Sequence, residues 1–216
     1  MRLLAEGLSA KRGDDLIFND ISFALDTGEA LVVTGPNGSG KSTLLRVLAG
    51  LLRPERGHLK LENGPPEIAS PAEVSHYLGH RNAMKRELTV AENLSFWQRF
   101  MGDSPGGDGV ALHEAVEAVG LPDIAHLPFG YLSAGQQRRM AMAKLLVAYR
   151  PIWILDEPTA ALDAGADRLF ADLVKAHLGK GGIVVAATHQ PLGLDQTKGL
   201  HMKGFEHLTG GLWHDA

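Results

Sequence analysis

The chain has 216 residues, 44% of them hydrophobic and 21% charged, with a formal net charge of -4. That length can bury one sizeable core and leaves room for a subdomain, while the acidic balance argues against nucleic-acid binding through a broad basic surface. There is no cysteine, which excludes disulfides, zinc–thiolate sites and thiol catalysis. No apolar run approaches the roughly 18 residues of a transmembrane helix. The opening Met1-Arg2-Leu3-Leu4-Ala5-Glu6 meets an acid at once and does not read as a signal peptide. A role at a membrane therefore needs another chain to supply the membrane part.

Residues 2 to 9 and 16 to 25 read as two strands around the turn Gly13-Asp14-Asp15, although Phe18, Ile21, Phe23 and Leu25 mix strand-like and helix-like spacing. Ala30-Leu31-Val32-Val33-Thr34 is a short β-branched run, expected as a buried strand. It enters Gly35-Pro36-Asn37-Gly38-Ser39-Gly40-Lys41-Ser42-Thr43, which fits the phosphate-binding P-loop pattern G-x-x-x-x-G-K-S/T. Leu44 to Ala49 then starts a helix that Gly50 ends. Glycines let backbone N–H groups approach phosphate oxygens, and the helix N-terminus presents about half a positive charge to the same anion. Lys41 is expected on the β- and γ-phosphates and Ser42 on Mg²⁺.

After a turn at Arg53 to Gly57, the alternation in His58-Leu59-Lys60-Leu61-Glu62 predicts a half-buried strand, and Val74 to Gly79 another. Thr89 with Glu92 three residues on forms a capping-box pattern for a helix through Leu94, Phe96, Trp97 and Phe100. These aromatics are read mainly as core of a helical lobe, with a partner contact as the alternative. Gly102 to Gly109 is a surface loop. Helices are expected over His113 to Val119 and Ala134 to Tyr149, the second capped by Ser133 with Gln136. Pro151 to Leu155 and Gly182 to Thr188 are buried strands, Asp163 caps a helix with the apolar face Leu169, Phe170, Leu173 and Val174, and residues 198 to 214 are weak edge strands. The alternation of strand and helix implies a parallel sheet. The strand-free stretch from about 85 to 148 is expected as a separate helical lobe.

Ile152-Trp153-Ile154-Leu155-Asp156-Glu157 delivers two carboxylates to the sheet's carboxyl edge, where α/β sheets bind ligands. Asp156 suits the Mg²⁺ shell, and Glu157 the polarisation of the water that attacks the γ-phosphate, a contribution typically worth about 10²–10⁴-fold. The order is then specific. The P-loop, Leu132-Ser133-Ala134-Gly135-Gln136, the strand ending in Asp156-Glu157, Ala160-Ala161-Leu162-Asp163 and the strand ending in Thr188-His189 together resemble the ATP-binding cassette (ABC) family of ATPases across nearly the whole chain.

The resemblance implies an α/β P-loop NTPase with a mostly parallel core sheet, an N-terminal antiparallel β-subdomain and an inserted α-helical subdomain. The core would comprise about 1–84 and 149–216 and the helical part about 85–148. It implies ATP and Mg²⁺ as cofactors, with residues Gly35 to Thr43 on the nucleotide and Ser42 and Asp156 on the metal. Glu157, His189 and Lys41 would be catalytic, His189 contacting the γ-phosphate of its own chain. Two cassettes would pair head to tail, bringing Ser133, Gly135 and Gln136 to the partner's nucleotide and Asp163 to the interface. Two departures stand out. The family's adenine-stacking aromatic is missing near Arg12, which either stacks in its place or is solvated. His80 stands where the family has a glutamine touching Mg²⁺, and reads as a water-ordering or partner-sensing group or as a plain loop histidine.

Gly79-His80, Lys85 to Leu94, Leu132 to Arg139, Trp153 to Pro158 and Thr188-His189-Gln190-Pro191-Leu192 further resemble the cassette subunits of haem exporters in cytochrome c maturation. That implies integral-membrane partner subunits, a peripheral position on the cytoplasmic side of the inner membrane, and coupling of ATP hydrolysis to release of haem-loaded chaperone. No Cys-x-x-Cys-His is present, and direct haem binding is not expected. The alternatives are the cassette of another exporter and a soluble ABC ATPase of iron–sulfur assembly.

Overall fold

The computed structural model describes residues 1–160, 162–190 and 192–204. Its N-terminal part is an antiparallel sheet of β1 (Arg2–Arg12), β2 (Asp15–Asp26) and β4 (Arg56–Glu62), in the order β2-β1-β4. The mixed spacing in β2 resolves as strand because β1 pairs along it, from Arg2 opposite Asp26 to Arg12 opposite Asp15, with bulges between Ala5 and Lys11 that shift the register.

The second sheet has the order β5-β6-β7-β3-β8, and its pairings are parallel: β5 is Ser75–Leu78, β6 Ile152–Asp156, β7 Ile183–Ala187, β3 Ala30–Thr34 and β8 Lys198–His201. The remainder of the expected edge, from 205 to 214, lies outside the described residues. β6 and β7 are buried along their whole length, as a strand covered on both faces must be. Alternation divides their side chains between two cores. Ile152, Ile154, Ile183 and Val185 join the β-sheet residues Leu3, Leu8 and Leu25 and helix α1 (Lys41–Leu48). Trp153, Leu155, Val184 and Ala186 face the other core.

That second core is made with α2 (Val90–Met101), α3 (Leu112–Ala118), α4 (Ala134–Ala143) and α5 (Ala164–Gly179). No named strand falls between β5 and β6, and the apolar residues of this helical segment are continuous with one face of the parallel sheet. Both expected capping boxes form, at Thr89 with Glu92 and Ser133 with Gln136.

Two sequence expectations need correction. The helix from Ala134 stops at Ala143 rather than Tyr149. Beyond it the regular ladder breaks up, with Leu145 N–H on Met142 O and Leu146 N–H on Ala143 O among the remaining four-residue bonds, a three-residue spacing that belongs to the tighter 3₁₀ turn common at helix ends. The aromatics of α2 also divide. Val90 and Leu94 are buried and Trp97 packs against the core, but Phe96 and Phe100 are 49% and 66% exposed. A helix of 3.6 residues per turn cannot bring 96 and 100 to the stripe held by 90, 94 and 97; instead the two rings stack on each other with centroids 5.5 Å apart.

Candidate nucleotide-binding site

The loop between β3 and α1 turns on glycines for a steric reason. Gly35 has φ +142°, and a Cβ there would lie 2.3 Å from the Met202 carbonyl oxygen; Gly40 has φ +93°, and its Cβ would lie 2.6 Å from Ile17 Cγ2. Both conditions exclude an ordinary side chain. Past Gly40 the helix opens, and the N–H groups of Lys41, Ser42 and Thr43 have no carbonyl partner in the preceding loop, as at any helix N-terminus. They form the donor cradle that an anion requires. Lys41 is buried, and its ammonium donates to Gly35 O at 2.7 Å and Pro36 O at 3.0 Å.

A cleft of about 470 Å³ opens over this loop, lined by Arg12, Asp15 and Ile17 of the N-terminal hairpin, by Asn37, Gly38 and Gly40 to Thr43, and by His80, Asp156 and Glu157. Pro36 and Ser39 shape the turn: Ser39 N–H donates to Pro36 O at 3.2 Å. The apolar stretch of β6 carries Asp156 to the cleft, where only 1% of it is exposed. Ser42 Oγ donates to Asp156 Oδ1 at 3.1 Å, and the Tyr77 hydroxyl to Oδ2 at 3.4 Å. Burial pushes the Tyr77 hydroxyl pKa up, against the pull of Arg46, so it remains a donor at neutral pH. His80 Nε2 lies 3.8 Å from the same carboxylate.

The oxygens of Ser42 and Asp156 suit Mg²⁺. Among the described residues no group of three His, Asp or Glu side chains could cage a metal ion, whereas Mg²⁺ is commonly held by one or two protein oxygens, with water and substrate phosphates completing its octahedron.

Glu157 follows at φ +45°, a left-handed backbone that costs a non-glycine residue about 1–3 kcal/mol. Its N–H donates to Ala187 O at 2.9 Å and its carbonyl accepts from Arg138 at 2.7 Å. The end of β7 leads to His189, whose Nε2 is 3.6 Å from Glu157 Oε1. Thus Lys41, Ser42, Asp156, Glu157 and His189 meet at the carboxyl edge of β3, β6 and β7.

The remaining expected site residues lie elsewhere. Ser133 is exposed at the N-terminus of α4, with Gly135 and Gln136 beside it, and none of the three lines the cleft. Gln136 is engaged in the cap: its Oε1 accepts from Ser133 N–H at 2.9 Å, and Ser133 Oγ accepts from Gln136 N–H at 3.3 Å. Asp163 caps α5 by accepting from Gly165 and Ala166 N–H, and these bonds hold its carboxyl below the usual range. Sequence reasoning missed Tyr77 and Arg138. Nothing in their immediate sequence separates a buried polar tip on a strand, or a buried guanidinium on a helix, from solvated ones.

The chain resembles known proteins over most of its length. The family model described as ABC transporter matches residues 18–160. The chain is 78% identical over 207 residues to the cytochrome c biogenesis ATP-binding export protein CcmA of Rhizobium meliloti (strain 1021), covering 96% of this chain and 100% of the relative. It is 68% identical to the protein of the same name from Agrobacterium fabrum, over 95% of this chain and 97% of the relative. Among solved structures, the fold matches a putative ABC transporter ATP-binding protein from Pyrococcus furiosus, with TM-score 0.78 at 22% identity over 94% of this chain and 98% of that one. It also matches a bacterial ABC transporter cassette solved as a dimer, with TM-score 0.77 at 24% identity over 94% of each chain. The chain belongs to the ABC transporter family, and its fold is that of the family's ATP-binding cassettes.

Proposed function

We propose that this chain is the ATP-hydrolysing subunit of an export complex of cytochrome c maturation. Relatives at 78% and 68% identity, named as cytochrome c biogenesis ATP-binding export proteins, support the assignment. The observation that carries the chemistry is the convergence of the P-loop lysine, the Ser42–Asp156 pair and Glu157 at one cleft. Lys41 exchanges its loop carbonyls for the β- and γ-phosphates of ATP, joined by the N–H groups of the loop and of the first turn of α1. Ser42 and Asp156 hold Mg²⁺, which neutralises phosphate charge when bound. Glu157 takes a proton from the attacking water as general base, and His189 beside it contacts the γ-phosphate.

Two copies pair head to tail. The exposed N-terminus of α4, with Ser133, Gly135 and Gln136, faces the nucleotide of the partner, and Asp163 lies at their interface. Among the described residues no helix is long and apolar enough to cross a membrane. Membrane subunits therefore carry the export path, and the exposed rings of Phe96 and Phe100 offer them a contact. The chain sits peripherally, on the cytoplasmic side of the inner membrane. It works by closing and reopening the pair, and does not bind haem.

The test is c-type cytochrome content in cells whose only copy carries Lys41→Ala, read from haem-stained gels with b-type cytochromes as control. Selective loss of covalently bound haem is expected. Unchanged c-type cytochromes would remove the maturation assignment and leave the ATPase chemistry to be matched to another exporter.

A further inference from the structure

Arg138 lies in the second turn of α4 and is 5% exposed. A guanidinium this deep is ordinarily paired with a carboxylate. Here its hydrogen bonds go mainly to the backbone. Nε donates to Pro158 O at 2.9 Å, Nη1 to Gly79 O at 2.7 Å, and Nη2 to Glu157 O at 2.7 Å and Asp156 O at 3.2 Å. One side-chain acceptor, Asn82 Oδ1, stands at 3.4 Å. Burial lowers the guanidinium pKa, while the nearby Asp156 and Glu157 charges oppose that shift.

Three successive carbonyls, of residues 156 to 158, can turn toward one donor fork only if the chain curls around it. The middle residue of that curl is Glu157, in its left-handed backbone. Strained geometry of this kind persists only where its surroundings over-determine it. The bond to Gly79 O brings in the residue before His80, which lines the same cleft. At its other end, the helix that carries Arg138 presents the exposed Ser133 cap. A rigid planar fork is suited to holding several acceptors at once, where a lysine ammonium on a flexible stem is not.

We propose that Arg138 is a positioning residue for hydrolysis: it locks the backbone of Glu157 to the helix bearing Ser133 and Gly135, so that engagement of that helix by a partner's nucleotide sets the aim of Glu157 within the same chain. This rests on the head-to-tail ATPase reading above. It makes the own-site carboxylate sensitive to the neighbouring site through one side chain.

The test uses the full chain and measures ATP affinity, KM, single-turnover rate and Hill coefficient for Arg138→Gln, Arg138→Lys, Glu157→Gln and the Arg138→Gln/Glu157→Gln double variant. A misplacement on the 1 Å scale is worth about 100-fold in rate. Arg138→Gln is therefore expected to lose about that in turnover, with ATP affinity and KM within about threefold and a Hill coefficient falling toward 1. Arg138→Lys, which cannot bridge both segments, should lose about tenfold; it keeps the test open if the glutamine variant does not fold. The double variant should be no slower than Glu157→Gln alone, since a group acting through Glu157 adds nothing once Glu157 is gone. Normal turnover and cooperativity in either folded Arg138 variant, or additive losses in the double variant, would overturn the proposal. If Glu157→Gln itself turns over normally, it is the general-base reading that fails.

Discussion

Replacing Glu157 by glutamine probes the chemistry with little other disturbance. The amide is nearly isosteric with the carboxylate. The left-handed backbone at this residue is fixed by main-chain bonds, from its N–H to Ala187 O and from Arg138 to its carbonyl, and both survive the change. Ser42 keeps its bond to Asp156, and Lys41 its bonds to Gly35 O and Pro36 O, because none of those hydrogen bonds involves the Glu157 side chain. What is lost is the basic oxygen beside His189 Nε2, now 3.6 Å away. A positioned general base contributes about 10²–10⁴-fold, or about 3–5 kcal/mol of barrier. Steady-state turnover should fall by that factor, while ATP affinity stays within about threefold. Phosphate release gives the rate, equilibrium dialysis gives the affinity, and size-exclusion chromatography in ATP should show a persistent dimer. Turnover within about threefold of the parent would refute the general-base role.

The loop glycines should separate by environment. Gly35→Ala meets the Met202 carbonyl at 2.3 Å and should lose nucleotide binding, whereas Gly38→Ala, with open space around its Cβ at φ +81°, should suffer only the strain of about 1–3 kcal/mol; equal binding losses in the two variants would contradict this. Acid should destabilise the fold. Burial pushes the pKa of His76 down to about 3 and of His177 to about 4, so below pH 6.5 the unfolded chain binds more protons and stability falls as pH drops toward those values. At pH 5 the loss is about 2 kcal/mol per ring, and His76→Gln should flatten the Tm-against-pH curve; a Tm unchanged from pH 7 to 5 would exclude the effect. ATP and GTP should show similar kcat/KM, since the hairpin side of the cleft offers Arg12, Asp15 and Ile17 but no aromatic ring; a strong preference for ATP would reveal a base contact elsewhere in the cleft.

Much of this molecule was legible from local chemistry. The run Ala30 to Thr34, the glycines and Lys41 specify strand, turn and anion cradle through short-range sterics. The capping boxes at Thr89 and Ser133 form where their spacing places them. β6 and β7 announce themselves because strands buried on both faces are apolar throughout. Other features depend on contacts across the chain. Whether residues 16 to 25 make a strand was settled by pairing with β1. The end of α4 depends on the turns that follow it, and the exposure of Phe96 and Phe100 on which face of α2 the sheet covers. Tyr77 and Arg138 owe their environments to segments 79 and 20 residues away, at Asp156 and Pro158 respectively. Local sterics and periodicity are written in neighbouring residues, and a buried hydrogen-bond network is written only in the folding that brings distant ones together.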